Sequence, residues 1–271
     1  MAMGMSLKTK YAVGTVIVAE DGSGDFIDIE SAIDSLPNTG GVVYIKEGTY
    51  SISSGITITK SNVSILGAGS STIINIANGE TAFTLSADGF TIEDLYFVST
   101  TAQGAEGIDI STYKHVKINR CSFIDFTDSI YAASGSTDVV ISNNYFEDPA
   151  GNAAIRTYGM CKITNNDIYH TLASETLQVG IEVNGTHSSV IGNRVRITTA
   201  VDVNCIATSS SSSYNSFVSN ILETTEVPEV SGISLAGGSS YNSVIGNIII
   251  GYTTAVYNGG TGNAVNHNVD V

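Results

Sequence analysis

Apolar residues come in short bursts that alternate with polar ones. Gly107-Ile108-Asp109-Ile110, Ser129-Ile130-Tyr131-Ala132, Ala154-Ile155-Arg156-Thr157 and Gly180-Ile181-Glu182-Val183 read this way, as do Ile206-Ala207-Thr208, Ile233-Ser234-Leu235 and Val256-Tyr257-Asn258. A period of two predicts strands with one face turned inward. Each burst is followed by an apolar stretch that ends on a recurring slot. That slot holds Asn143, Asn165, Asn193, Asn220, Asn247 and Asn268, and earlier in the chain Gly67, Asp94 and Arg120. The spacings are 27, 26, 23, 22, 28, 27, 27 and 21 residues. A repeat of this length marks a stacked solenoid. Coils this short hold two or three strands and turns, too few residues for a propeller blade and without the leucine spacing of a leucine-rich repeat.

The predicted fold class is therefore all-β: a single-stranded, right-handed parallel β-helix of about nine coils. The recurring asparagine has two expected jobs in one position. It tolerates the left-handed backbone of a sharp bend, and stacked amides form a ladder from coil to coil. Near the start, Ile29, Ala32, Ile33 and Leu36 follow helical spacing, and Pro37, Asn38 and Gly40-Gly41 stop the pattern. This predicts a short capping helix near 28–36 that covers the open solenoid end. The polar last coil, Gly262 to Val271, is either its own cap or covered by another subunit. Residues 1–15 read as a tail whose opening Met1-Ala2-Met3-Gly4 resembles an expression-derived addition. Residues 16–271 read as one β-helix domain.

Charge changes the picture of partners. Eleven Lys and Arg against 26 Asp and Glu give −15, and no Lys or Arg follows Arg196. Nucleic acid is an unlikely partner without clustered cations, and a strongly anionic polymer is repelled unless a cation bridges it. No apolar run of ~18 residues predicts a membrane span, and no secretory signal is read. Cys121, Cys161 and Cys205 show no metal spacing and read as small buried residues. The four histidines share no ligand spacing, which argues against zinc.

Val18-Ala19-Glu20-Asp21-Gly22-Ser23-Gly24-Asp25-Phe26, Ala32-Ile33, Gly41-Val42-Val43-Tyr44-Ile45-Lys46-Glu47-Gly48-Thr49-Tyr50 and Val63-Ser64-Ile65-Leu66-Gly67-Ala68-Gly69 resemble the opening of pectin-lyase-like right-handed β-helices. That superfamily includes pectinesterases, pectate lyases, polygalacturonases and phage tailspike domains. Phe126-Thr127-Asp128-Ser129-Ile130-Tyr131 is similar to the pectinesterase motif Tyr-Gln-Asp-Ser-Leu-Tyr, and the resemblance implies that Asp128 is a general acid. Thr127 stands where that motif has glutamine, Ala153 falls where the nucleophilic aspartate belongs, and the late Gly-Arg-Pro-Trp segment has no counterpart in a chain without Trp.

Aligning the coils stacks Thr84, Asp109, Tyr131, Arg156, Glu182, Ala207, Ser234 and Tyr257 in one outward column at ~4.8 Å steps. Tyr158 and Asn184 lie two residues beyond Arg156 and Glu182. Aromatics beside carboxylates suit a sugar-binding groove, rings packing on sugar C–H groups while polar groups hold hydroxyls. Such a stripe can equally pair its own charges across strands. Glu106 and Asp128 share a slot on adjacent coils. A pair ~5 Å apart fits a retaining glycosidase, with one pKa raised. Asp109 with Asp128 is nearer the inverting spacing, and Ca²⁺ is a further use of such carboxylates.

The expected function is polysaccharide binding or degradation, by glycoside hydrolysis if catalytic. Glu106, Asp109 and Asp128 would then supply acid and base. Tyr131, Arg156, Tyr158 and Glu182 would bind substrate. A single Arg and no Lys in the stripe put a lyase behind a hydrolase. The alternative is a non-catalytic surface, adhesin or phage-fibre module. The expected assembly is a monomer or homotrimer, outside the cell or on a cell or virion surface. Tyr214-Asn215-Ser216 and Tyr241-Asn242-Ser243 repeat one coil apart, and their tyrosines read as a stacked stiffening element. Irregular insertions are expected near Thr171 to Gln178 and Glu223 to Val230.

Overall fold

The computed structural model describes residues 14–77, 79–100, 106–149, 151–171, 177–198, 203–225 and 230–271. The expected tail up to residue 13, and most of the insertions near 171–178 and 223–230, lie outside the described residues.

Each coil visits three parallel sheets in turn, the arrangement of a right-handed parallel β-helix. Among the described residues, to which these counts apply, sheet 1 has 11 strands, from Gly14–Val18 to Ala264–Asn266. Sheet 2 has 10, from Gly48–Ile52 to Val269–Asp270. Sheet 3 has nine, from Ile56–Ile58 to Thr254–Asn258. A representative coil runs Val116–Asn119 in sheet 1, Ser122–Ile124 in sheet 2 and Asp128–Ala132 in sheet 3.

The inward residues of these strands stack into one core. Ile92, Ile118, Ile141 and Ile163 are fully buried on successive sheet 1 strands. On sheet 2, Phe97, Phe123 and Phe146 stack with centroids 4.9 and 5.2 Å apart. Each such side chain contributes about 1.5–3 kcal/mol by leaving water. The three cysteines are buried within this core, and burial pushes the thiols of Cys121 and Cys205 up to about 12 and that of Cys161 to about 11. They are poor nucleophiles there.

The capping helix forms over Ile29–Ser35. Asp28 caps it, its Oδ1 accepting from Ser31 N at 2.8 Å. Ile29, Ala32 and Ile33 face the first coil. Lys60 Nζ donates to the carbonyls of Ile33, Asp34 and Leu36, satisfying the helix end. Among the described residues no helix covers the opposite end, where Ala264–Asn266 is exposed.

The asparagine slot is two columns, not one. Asp94, Arg120, Asn143 and Asn165 occupy the left-handed backbone position, with φ between 53° and 59°. In the next coils that position belongs to Gly192, Ser219, Gly246 and His267. The residue after it is an inward amide, buried in Asn144, Asn166, Asn193, Asn220 and Asn247 and half-buried in Asn268. Each Nδ2 donates to the next Oδ1 at 2.9–3.1 Å. The strand pairing Thr164↔Ile191 sets Asn165 beside Gly192, so the single-column alignment slips by one residue between 165 and 193. The physical reason is that the two jobs point opposite ways. The bend residue turns its side chain to solvent, and the amide turns inward to bind the backbone of its neighbours.

A second turn column carries His187, Tyr214 and Tyr241, all at φ near 60°. Their rings stack at 5.2 and 5.3 Å. The tyrosine pair agrees with expectation, and His187 extends it. Gly262 follows in the same column, where a Cβ would come within 2.9 Å of the Tyr241 ring. The ring faces are thus spent on one another and on the turn.

Candidate functional site

Sheet 3 places the outward column in the expected register. Thr84, Asp109, Tyr131, Arg156, Glu182, Ala207, Ser234 and Tyr257 are strand partners in succession. Glu106 pairs with Asp128, and Asp128 with Ala153.

Asp128 is 3% exposed, and its carboxylate is fully engaged. It accepts from the Arg156 guanidinium, from Ala153 N at 3.1 Å and from Asn152 Nδ2 at 3.3 Å. On its other side, Arg156 Nε lies 3.5 Å from Glu182 Oε2, an ion pair without a formed hydrogen bond. Burial alone would lower the Arg156 pKa, but Asp128 and Glu182 hold it above the ordinary value. The charged stripe therefore pairs internally across strands. Arg156→Leu is expected to cost about 2 kcal/mol in denaturant unfolding. Removing one partner of a buried pair typically costs 3–5 kcal/mol, and here Asp128 keeps two other donors.

Glu106 is different. It is half-buried, and its pKa is raised, first by burial, then by the nearby charges of Asp109 and Asp128. Arg156 and a hydrogen bond from Thr81 only partly offset this. Asp109 is held in place by Ser111, whose N donates to Asp109 Oδ1 at 2.6 Å. Tyr131 and Tyr158 meet edge to face at 6.0 Å, and the Arg156 guanidinium lies 5.7 Å from the Tyr131 ring centroid. Tyr158 is 38% exposed. Six of the seven sequence-predicted residues thus lie on four adjacent strands of sheet 3, and Tyr158 lies just past the end of the third. The Arg156–Asp128 pair and the burial of Glu106 were not legible individually, because both depend on side-chain direction across strands.

Among the described residues no group of His, Cys, Asp and Glu gathers to hold a metal ion. The saturated Asp128 carboxylate is also a poor fit for shared Ca²⁺ binding with Glu106.

Sheet 3 carries a further depression of ≈ 220 Å³ lined by Asn204, Val230, Ser231, Ser234, Thr254 and Tyr257. A larger one, ≈ 330 Å³, sits beside the capping helix between Asp28, Glu30 and the strand Gly48–Ile52. It is bounded by other coils than the charged column and has no part in its chemistry.

The pectinesterase family model matches residues 15–137. An Arabidopsis thaliana pectinesterase/pectinesterase inhibitor is 34% identical over 142 residues, covering 46% of this chain and 25% of the relative. The chain thus spans about a quarter of the length of that relative. Pectin methylesterase from carrot superposes over 96% of this chain and 87% of its own, with TM-score 0.62 and 18% identity. A DFA-IIIase from Arthrobacter chlorophenolicus A6 superposes over 82% of this chain and 60% of its own, with TM-score 0.63 and 16% identity. At these identities the structural likeness is one of fold. The chain has the pectin-lyase-like parallel β-helix fold.

Proposed function

We propose, for a chain with this fold, that sheet 3 is the working face of a polysaccharide hydrolase. One observation carries the reading: Glu106, an acid whose pKa is raised, stands on an outward face beside two further carboxylates. A carboxyl that holds its proton to higher pH than an ordinary glutamate is what protonation of a glycosidic oxygen needs. Asp109, half-exposed and steadied by Ser111, is the base that activates water. Asp128 and Arg156 hold the shape of the strand pair, and Glu182 steadies Arg156 from the next strand. Tyr131 and Tyr158 offer ring edges and faces to a sugar.

Pectin is the first substrate to try, because the sequence relatives are named pectinesterases. Ester cleavage by a two-aspartate route is disfavoured. The position next to Asp128, where the family resemblance calls for the second aspartate, is the buried methyl group of Ala153. The setting is outside the cell or on a cell or virion surface, where long polysaccharides occur.

The test is to incubate the protein with methyl-esterified pectin and assay methanol and new reducing ends together. New reducing ends without methanol are expected. Methanol without reducing ends would overturn hydrolysis in favour of esterase chemistry. Binding with neither product would favour the non-catalytic module.

A further inference from the structure

Resting on that reading, we infer that the sheet 3 groove extends past its charged head into a subsite for an uncharged sugar unit, built by Asn204, Ser231, Ser234, Thr254 and Tyr257. These residues lie outside the stretch matched by the pectinesterase family model. They continue the same columns. Asn204 follows Glu106, Asp128, Ala153 and Val179 in register, and Tyr257 follows Arg156, Glu182, Ala207 and Ser234. Tyr257 stands four strands from Arg156, roughly 19 Å at ~4.8 Å per step.

The chemistry of this end is that of a neutral sugar. The ≈ 220 Å³ depression is lined by hydroxyls, one amide, Val230 and one aromatic, with no ionisable acid or base other than the tyrosine phenol. Tyr257 is 53% exposed, so a ring face or edge is available to pack on sugar C–H groups. Asn204 Oδ1 accepts from Ser231 N at 3.1 Å and from Ser231 Oγ at 3.2 Å. That fixes the amide, and among the described residues its Nδ2 keeps no partner and is free to donate to a hydroxyl. The small Ala207 between Glu182 and Ser234 leaves the passage from head to subsite open.

Charge excludes the alternative of a free uronate. A sugar carboxylate at this end would meet no cation, since the chain carries no Lys or Arg after Arg196. Arg194 and Arg196 are bound to Glu223 on sheet 2. In the head, one guanidinium faces Glu106, Asp109, Asp128 and Glu182, and is already engaged by two of them. The whole groove therefore repels an anionic chain and accepts one whose carboxyls are masked or missing.

The experiment compares galacturonan oligosaccharides of equal length, fully methyl-esterified or fully de-esterified, by calorimetric Kd and by kcat and KM for chain cleavage. Wild type is expected to bind the esterified form about tenfold more tightly at low salt, with the gap closing as salt screens the groove. Tyr257→Ala is expected to weaken esterified binding about three- to tenfold and raise KM without changing kcat. Its exposed position leaves the fold intact. Ser234→Lys is expected to shift preference toward the de-esterified form.

Unchanged binding in Tyr257→Ala, or wild-type preference for the de-esterified chain, would overturn the subsite while leaving the hydrolase reading standing. Tyr257-dependent binding without cleavage by wild type would sustain the subsite and overturn the hydrolase. Failure of wild type to bind either oligosaccharide would overturn both.

Discussion

Glu106→Gln is expected to lower the rate of polysaccharide cleavage by about 100- to 10,000-fold, the range associated with removing a general acid. Its melting temperature at pH above the raised pKa of Glu106 should stay the same or rise. Glutamine keeps the shape and the hydrogen-bonding capacity of the side chain but cannot release a proton. The stability half of the result follows from the raised pKa of Glu106. A carboxyl whose folded pKa is raised favours the folded state below its unfolded pKa. That advantage is lost as pH rises through the folded value. Once ionised, at pH above that value, Glu106 sits in a half-buried place beside Asp109 and Asp128 at some cost. Gln removes that cost. The pH profile carries the same sign: wild-type kcat should fall as pH rises through the raised value, and the variant should lose that limb. A kcat–pH profile and thermal melts of both proteins check this. A variant that cleaves at wild-type rate would remove Glu106 from the chemistry.

Asn220→Ala is expected to destabilise the protein by about 4 kcal/mol, whereas Asn143→Ala should cost about 1 kcal/mol or less. Asn220 is fully buried. Its Oδ1 accepts from Asn193 N at 2.9 Å and Asn193 Nδ2 at 3.1 Å. Its Nδ2 donates to Val190 O at 3.0 Å and to Asn247 Oδ1 at 2.9 Å. Truncation strands several buried polar groups, each worth about 1–3 kcal/mol when left unmade. Asn143 is an exposed bend residue, and its replacement chiefly adds the strain of a left-handed alanine. Urea unfolding of the two variants separates the columns. Equal losses would contradict the two-column arrangement.

That difference marks how far the sequence alone reached. The inward–outward alternation is a property of every strand, so the register of Asp109, Tyr131, Arg156 and Glu182 could be aligned without coordinates, and the structure has that register. The capping helix was equally plain, because Ile29, Ala32 and Ile33 repeat at helical spacing above a core they cover. The asparagine columns were not separable, since Asn143-Asn144 and Asn165-Asn166 put the same residue type in both jobs. At the proposed site, the register of the column was legible but its electrostatics were not. Arg156 reaches diagonally to Asp128, a choice among rotamers that spacing does not encode. The raised pKa of Glu106 comes first from burial, which depends on how neighbouring coils cover it. His187 gave no sign of joining Tyr214 and Tyr241, because a lone histidine one coil earlier breaks the sequence repeat while preserving a flat ring.

The buried amides carry one more consequence, for how such a chain can change length. Asn166, Asn193, Asn220 and Asn247 are joined by the same bonds at the same 27-residue interval. The neighbouring Asn215 and Asn242 repeat at that interval too. Excision of residues 193–219 would bring Asn220 to the place of Asn193, where it would accept from Asn166 as before. Duplication of the same stretch would insert another unit whose partners are already specified. In this region the molecule is a ruler graduated in whole coils. Copy number can be gained or lost in a single genetic event, and only events that respect the graduation leave every amide matched.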